Sequence, residues 1–310
     1  MKKPNILVSL ITKDNDYQIE QANAATAAAQ RLGIDVEVVF ADNDAITQTQ
    51  QLLKAIQSPP EAHPDAIVFQ PAGGTCAPHA ARAAVTAGIG WVVLNRVAGY
   101  TLDLRRDAKV PVFSVSVDQV EIGRIQGQHV AALAPKDGTI LYIQGPSSSS
   151  VVNQRANGLN QTRPPGTKVV LLRGQWTQDS AYRAVSSWMM LSTSQKVPID
   201  IVVSQNDDMA MGVRKAFQER ADASVRDKWL SLPFIGCDGL PKTGQEYVRR
   251  GLLTATVINP PTMTLALETL VRAIQATTQP SELVLANPSS FPSLSDLSAR
   301  GHGKVKSAAI

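Results

Sequence analysis

The stretch VVSQNDDMAMG, from Val202 to Gly212, carries the reading of the whole chain. An apolar run ends abruptly in the amide of Asn206, and a helix-forming segment follows. The arrangement recurs in PFIGCDG (Pro233 to Gly239), which delivers Asp238, and in LTATVINPP (Leu253 to Pro261), which delivers Asn259. Near-continuous apolar runs of this kind mark parallel strands covered on both faces. In open α/β sheets a ligand sits beyond the carboxyl ends of such strands. Asn206, Asp238 and Asn259 are therefore predicted to bring hydrogen-bonding groups to one cleft.

Outward from these segments the chain alternates strands and helices. Strands are predicted at 5–11, 36–40, 66–69, 91–94 and 112–117, with helices at 17–32, 45–57 and 77–87 between them. Gly33 caps the first of these helices. A second set follows, with strands at 139–143, 169–172, 199–204, 232–235 and 253–258, and helices at 151–161, 179–194, 207–219, 242–250 and 262–276. Successive βα units argue for parallel sheets with helices on both faces. Two sets of them predict an α/β protein of two doubly wound lobes.

The chain has 310 residues, 44% hydrophobic and 18% charged, a globular balance. Its formal net charge of +4 is spread out rather than gathered in basic blocks, which argues against nucleic acid as a partner. No apolar run reaches the roughly 18 residues of a membrane-spanning helix. Cys76 and Cys237, the two cysteines, fall in different predicted lobes and read as separate buried thiols rather than a disulfide. The opening MKKPNILVSLI reads as a first strand, because its apolar stretch is too short for a secretory leader. That leaves two readings, a leader already removed or a cytoplasmic protein.

The pairing of Asn206-Asp207-Asp208-Met209-Ala210-Met211-Gly212 with Gly236-Cys237-Asp238-Gly239 resembles the sugar-binding proteins of bacterial ABC importers, of the ribose-binding type. Their fold is shared with the effector domains of lactose-repressor-type regulators. The resemblance runs from about Asn5 to Leu285. It implies the type I periplasmic binding protein fold, two lobes joined by a three-segment hinge. The lobes would comprise 1–117 with 260–283 and 118–259 with 284–297, leaving 298–310 as a disordered tail.

The resemblance also implies a set of ligand-binding residues. After the first strand the family places polar and aromatic groups over the sugar, and here Ser9 to Tyr17 fill that stretch, with Asn15 and Tyr17 at the matching positions. Gln18 stands where a second aromatic is usual. Asn95-Arg96 replaces the family's Asp-Arg, Arg155 matches its Arg-x-x-Gly arginine, and Trp176 its second aromatic wall. Asn259 stands where Gln is usual. Each residue has an ordinary role when taken singly: Asn15 and Asn206 as helix caps, Trp176 as packing, Arg96 and Arg155 as solvated charges. Together, at the ends of strands, they read as one binding site. Loss of the Asp charge at position 95 leaves two Arg against Asp238. By that count the site tolerates an anionic or carbonyl-bearing sugar derivative.

Other chemistries find little support. Gly73-Gly74-Thr75 lacks the Lys of a P-loop. Asp14-Asn15-Asp16 lacks the later Gly and Glu of a calcium loop. Cys76-Ala77-Pro78-His79 has no second cluster to complete a metal site. No GxSxG elbow is present, and no helix-turn-helix precedes the first strand. The expectation is a monomeric solute-binding protein of the periplasm or cell envelope, without catalytic residues, metal or cofactor. It would present a sugar, polyol or sugar acid to importer membrane subunits. The alternatives are a cytoplasmic sensor that signals to a partner protein and, last, an enzyme acting on a sugar derivative.

Overall fold

A computed structural model describes residues 3–74, 76–192, 194, 197–220 and 222–299. The chain forms two compact units. The first takes the chain through Val117 and again over Pro261–Ala286; the second takes Asp118–Pro260 and the chain from Asn287 onward.

The first unit is built on a 6-stranded sheet. Its strands, numbered along the chain, are β1 (Asn5–Leu10), β2 (Asp35–Phe40), β3 (Ala66–Phe69), β4 (Gly90–Leu94), β5 (Val112–Val117) and, far downstream, β11 (Leu283–Ala286). They lie in the order β11-β5-β4-β3-β1-β2, all parallel. The helices are α1 (Asp16–Leu32), α2 (Ala45–Ile56), α3 (Pro78–Thr86), α4 (Thr101–Arg106) and α11 (Met263–Ala276). Alternate residues of the central strands feed two cores. Ile6, Val8, Leu10, Val68 and Val92 pack with α1 and α11. Leu7, Ile67, Phe69, Trp91 and Val93 pack with α2 and α3. A strand buried on both faces has no polar side to show, which is why these strands read as unbroken apolar runs.

The second unit repeats the plan with β6 (Thr139–Gln144), β7 (Lys168–Arg173), β8 (Ile201–Ser204), β9 (Phe234–Asp238), β10 (Ala255–Ile258) and β12 (Ser289–Phe291). Their order is β12-β10-β9-β8-β6-β7, parallel except for β12, which runs antiparallel to β10. Its helices are α5 (Gln119–Leu133), α6 (Ser150–Thr162), α7 (Gln178–Met189), α8 (Asp207–Gln218), α9 (Ala223–Leu230) and α10 (Gly244–Arg249). Leu141, Ile143 and Val202 enter one core with α7 and α8, while Ile140, Tyr142 and Val203 enter the other with α5 and α6.

Several elements depart from expectation. No helix was expected over α5, because its buried face carries Gln119, Gly123, Gln126, Gly127 and His129, which break the apolar period. The short α4 and α9, and the two short strands β11 and β12, were likewise not foreseen. The last crossing between units was placed after residue 283. It falls after Ala286, because Leu283–Ala286 pairs in parallel with β5 over Ser114–Val117. The disordered tail was expected from residue 298. Ser298 instead belongs to a helical segment at 294–299, in which Leu297 is fully buried. Residues 300–310 of that tail lie outside the described residues.

Candidate ligand-binding site

In the first unit the predicted residues gather at the carboxyl ends of β1 and β4. Asn15 is the N-cap of α1, its side-chain oxygen accepting the Gln18 N–H at 3.1 Å. Gln18, where a second aromatic was expected, is buried and accepts the Ile11 N–H at 3.0 Å. It therefore holds the loop rather than offering a stacking face. Tyr17, one position earlier, is buried, and its hydroxyl oxygen accepts from Asn95 Nδ2 at 3.2 Å.

Asn95 occupies the left-handed region at φ 55°. Its second amide hydrogen goes to Gln70 Oε1 at 3.1 Å, and its Oδ1 accepts from the Thr262 hydroxyl at 3.1 Å. Both donors are thus spent inside the unit, and what the amide retains is acceptor capacity on Oδ1. Arg96 is buried, with Nη1 donating to the Gly73 carbonyl at 2.8 Å. Its guanidinium lies beside the Cys76 thiol. Burial pushes that thiol up from its ordinary value, and Arg96 partly offsets the rise. Ser9 stands apart from this group. It is fully buried inside β1, where its hydroxyl accepts from Gln48 Nε2 at 3.2 Å.

In the second unit Arg155, Trp176 and Asn206 form one contiguous group. Arg155 projects from α6 with Nε on Gln119 Oε1 at 2.8 Å and Nη1 on the Gln205 carbonyl. Its guanidinium carbon lies 5.8 Å from the centroid of the Trp176 ring. Trp176 is half-buried at φ 65°. The indole lies so close to Gly145 that a Cβ there would come within 2.4 Å of the ring. Asn206 does two things at once: its oxygen caps α8 through the Met209 N–H at 2.9 Å, and its nitrogen holds the Trp176 carbonyl at 2.8 Å.

Asp238 and Asn259 form a second group, at the ends of β9 and β10. Asn259 Nδ2 donates to Asp238 Oδ1 at 3.2 Å, and both side chains are buried. The Asn259 Oδ1 is buried and has no hydrogen-bond partner among the described residues. A buried acceptor left unmatched costs free energy until a donor arrives.

Sequence reading passed over the residues that hold these side chains in place. Gln70 and Gln205 each follow a buried strand directly, and that position was their signal. Gln205 is itself fully buried, donating to Tyr142 Oη at 2.8 Å and accepting the Gly145 N–H at 3.1 Å. Thr262 and Gln119 gave no local signal, since their partners lie elsewhere in the chain. No group of three or more His, Cys, Asp or Glu that could hold a metal ion occurs among the described residues. No described helix is long and apolar enough to cross a membrane.

These features, two parallel-sheet units with polar groups at the ends of their strands, define a class of protein. The chain belongs to the periplasmic binding protein domain family, whose model matches residues 6–278. It is 24% identical over 262 residues to the ribose import binding protein of Salmonella typhimurium, covering 84% of this chain and 81% of that protein. It is 28% identical over 237 residues to the xylitol-binding protein of Mycolicibacterium smegmatis, covering 75% of this chain and 61% of that one. Among solved structures, a galactofuranose binding protein matches with a TM-score of 0.79 at 20% identity, covering 98% of this chain and 99% of the other. The myo-inositol binding protein of Caulobacter matches with a TM-score of 0.75 at 22% identity, covering 95% of each chain. At such identities the structural likeness speaks for the fold alone.

Proposed function

We propose that this chain is a solute-binding protein that draws its two units around one small polyhydroxylated ligand and presents it to the membrane subunits of an ABC importer. The observation that carries the ligand class is the pair of oxygens at the ends of β9 and β10. The Asp238 carboxylate lies beside a buried Asn259 Oδ1 that lacks a donor. Two neighbouring acceptors call for two neighbouring hydroxyl donors, as on a sugar ring or a polyol chain. The family and the named relatives support the same reading, since those relatives bind ribose and xylitol.

Some of the donors nearby are already engaged. Both Asn95 hydrogens, Nε and Nη1 of Arg155, and Nη1 of Arg96 all have partners within their own unit. The acceptor pair at Asp238 and Asn259 favours a neutral sugar or polyol, whose hydroxyls donate to both, over an acid, whose carboxylate offers no hydrogen to either. In this role the ligand leaves chemically unchanged, and the protein works in the periplasm or cell envelope.

A thermal-shift screen over neutral sugars, polyols and sugar acids tests the proposal, because a ligand that binds the native state raises its stability by mass action. A shift of several degrees with one or more neutral polyols is expected. No shift across the panel at millimolar ligand would overturn the reading.

A further inference from the structure

One carboxyl group lies directly beneath Asp238 and takes no part in the site described above. Asp207 opens α8 and is buried. Its Oδ2 accepts the Gly239 N–H at 2.8 Å, and its Oδ1 accepts the Thr256 hydroxyl at 2.7 Å. Two glycines make room for it. A Cβ on Gly236 would lie 1.9 Å from Oδ1, and a Cβ on Gly244 would lie 2.0 Å from Oδ2. The carboxyl therefore fills a slot that exists only because both positions lack side chains, and it ties α8 to β10 and to the turn that follows β9.

That turn carries the residue proposed to meet the ligand. Asp238 sits at φ 113°, a region that residues with a Cβ rarely adopt, and Gly239 follows at φ 57°. Such a conformation persists only where its surroundings hold it. Here the Gly239 peptide is gripped at both ends, its N–H by Asp207 and its carbonyl by Gln245 Nε2 at 2.8 Å. We infer that Asp207 is a positioning residue: by holding Gly239 and Thr256 it maintains the strained backbone from which Asp238 offers its carboxylate to a ligand hydroxyl. The assignment rests on the sugar-binding reading of Asp238.

Asp207 and Asp238 also feel each other's charge. Burial raises Asp207 well above the ordinary carboxylate range. Asp238 adds to the rise, and the Thr256 and Gly239 hydrogen bonds oppose it. The other ionisable groups nearby are Asp208 on the same helix and the Cys237 thiol on β9. That thiol is pushed up by burial, with Arg155 of α6 opposing. Titration of Asp207 should accordingly be visible at the amide it grips.

Two measurements test the inference. The first is ligand affinity by calorimetry, with D-ribose, xylitol and myo-inositol as probes. Asp207→Ala removes the grip and is expected to weaken binding by about tenfold or more. Asp207→Asn keeps the shape, since its oxygen can accept the Gly239 N–H and its nitrogen can donate to Thr256. It should recover most of that loss. Binding of Asp207→Ala at wild-type strength, or Asp207→Asn no better than Asp207→Ala in folded protein, would overturn the inference. The second needs no ligand. In 15N-labelled protein the Gly239 amide shift should follow a titration centred above the ordinary carboxylate range. That titration should vanish in Asp207→Asn and move to lower pH in Asp238→Asn. A Gly239 amide that does not respond to pH, or responds identically in both variants, removes the coupling. If none of the three probes binds the wild type, the sugar-binding reading loses support, while the Gly239 titration still decides the role of Asp207.

Discussion

At the scale of single residues, the amide of Asn95 shows what a charge count along a sequence leaves out. Replacing an acidic residue by Asn there suggested room for an anion. The structure shows instead an amide whose orientation is set by its neighbours: Thr262 supplies the donor that fixes Oδ1, while Tyr17 and Gln70 receive the two hydrogens. The expected outcome of a competition assay at neutral pH is that a neutral sugar displaces its own acid and not the reverse. The opposite order would restore the charge count as the better guide. For the acceptor pair, Asp238→Ala and Asn259→Ala should each weaken binding while the fold stays intact. Each loses a hydrogen bond to a desolvated hydroxyl, at a cost of about 1–3 kcal/mol. Wild-type affinity in both variants would show that the pair faces no ligand. Trp176 gives an optical check. Its ring is half-buried beside Arg155, so ligand should perturb tryptophan fluorescence, and Trp176→Phe should remove most of the change. A signal that persists in full would belong to Trp91, Trp188 or Trp229.

At the scale of elements, the docking of β12 on α5 has a measurable consequence. His129 of α5 is fully buried, and its Nε2 lies 2.7 Å from the Ser290 hydroxyl of β12. That hydroxyl in turn donates to the Pro292 carbonyl, so the imidazole donates through Nε2. Burial lowers its pKa from 6.5 to about 4. A histidine whose folded pKa is depressed contributes stability fully above its unfolded value. The contribution is lost as pH falls from about 6.5 towards 4, because the unfolded chain takes up the proton first. The size is about 3 kcal/mol at most for a shift of this extent. Urea unfolding at pH 7 and pH 4.5 should show the wild type losing about 2 kcal/mol more than His129→Gln, which cannot titrate. Equal losses in the two proteins would mean that the imidazole takes up its proton as readily in the folded as in the unfolded chain. α5 is also where sequence reading failed most plainly: Gln126 and His129 interrupt the apolar face formed by Ile122, Ile125 and Val130.

At the scale of the molecule, the chain passes between its two units three times, after Val117, after Pro260 and after Ala286. In the proposed role the ligand-bound population is the closed one, since closure lets residues of both units share the ligand. Small-angle scattering at saturating ligand should therefore give a smaller radius of gyration than the ligand-free protein. An unchanged radius, with binding confirmed by calorimetry, would separate ligand binding from closure.

The strands and their order of appearance were legible because burial on both faces leaves a strand no polar alternation, and turn residues mark its ends. Asp238 and Asn259 were legible for the same reason, each being the first polar group after an apolar run, and Asn206 follows its run within two residues. The sequence by itself thus determined the class of fold and the polar residues that stand at the ends of its strands. It could not show what each side chain does there. Thr262 meets Asn95 across 167 residues of chain, and Thr256 meets Asp207 across 49. Hydrogen bonds between such distant positions leave no local period or composition. Only tertiary structure decided that Asn95 has spent its donors, that Ser9 lies inside the sheet, that Gln18 ties a loop instead of stacking, and that Asp207 sits in a slot between Gly236 and Gly244. These roles depend on direction and distance between elements, and the pattern of residues within any one element does not contain them.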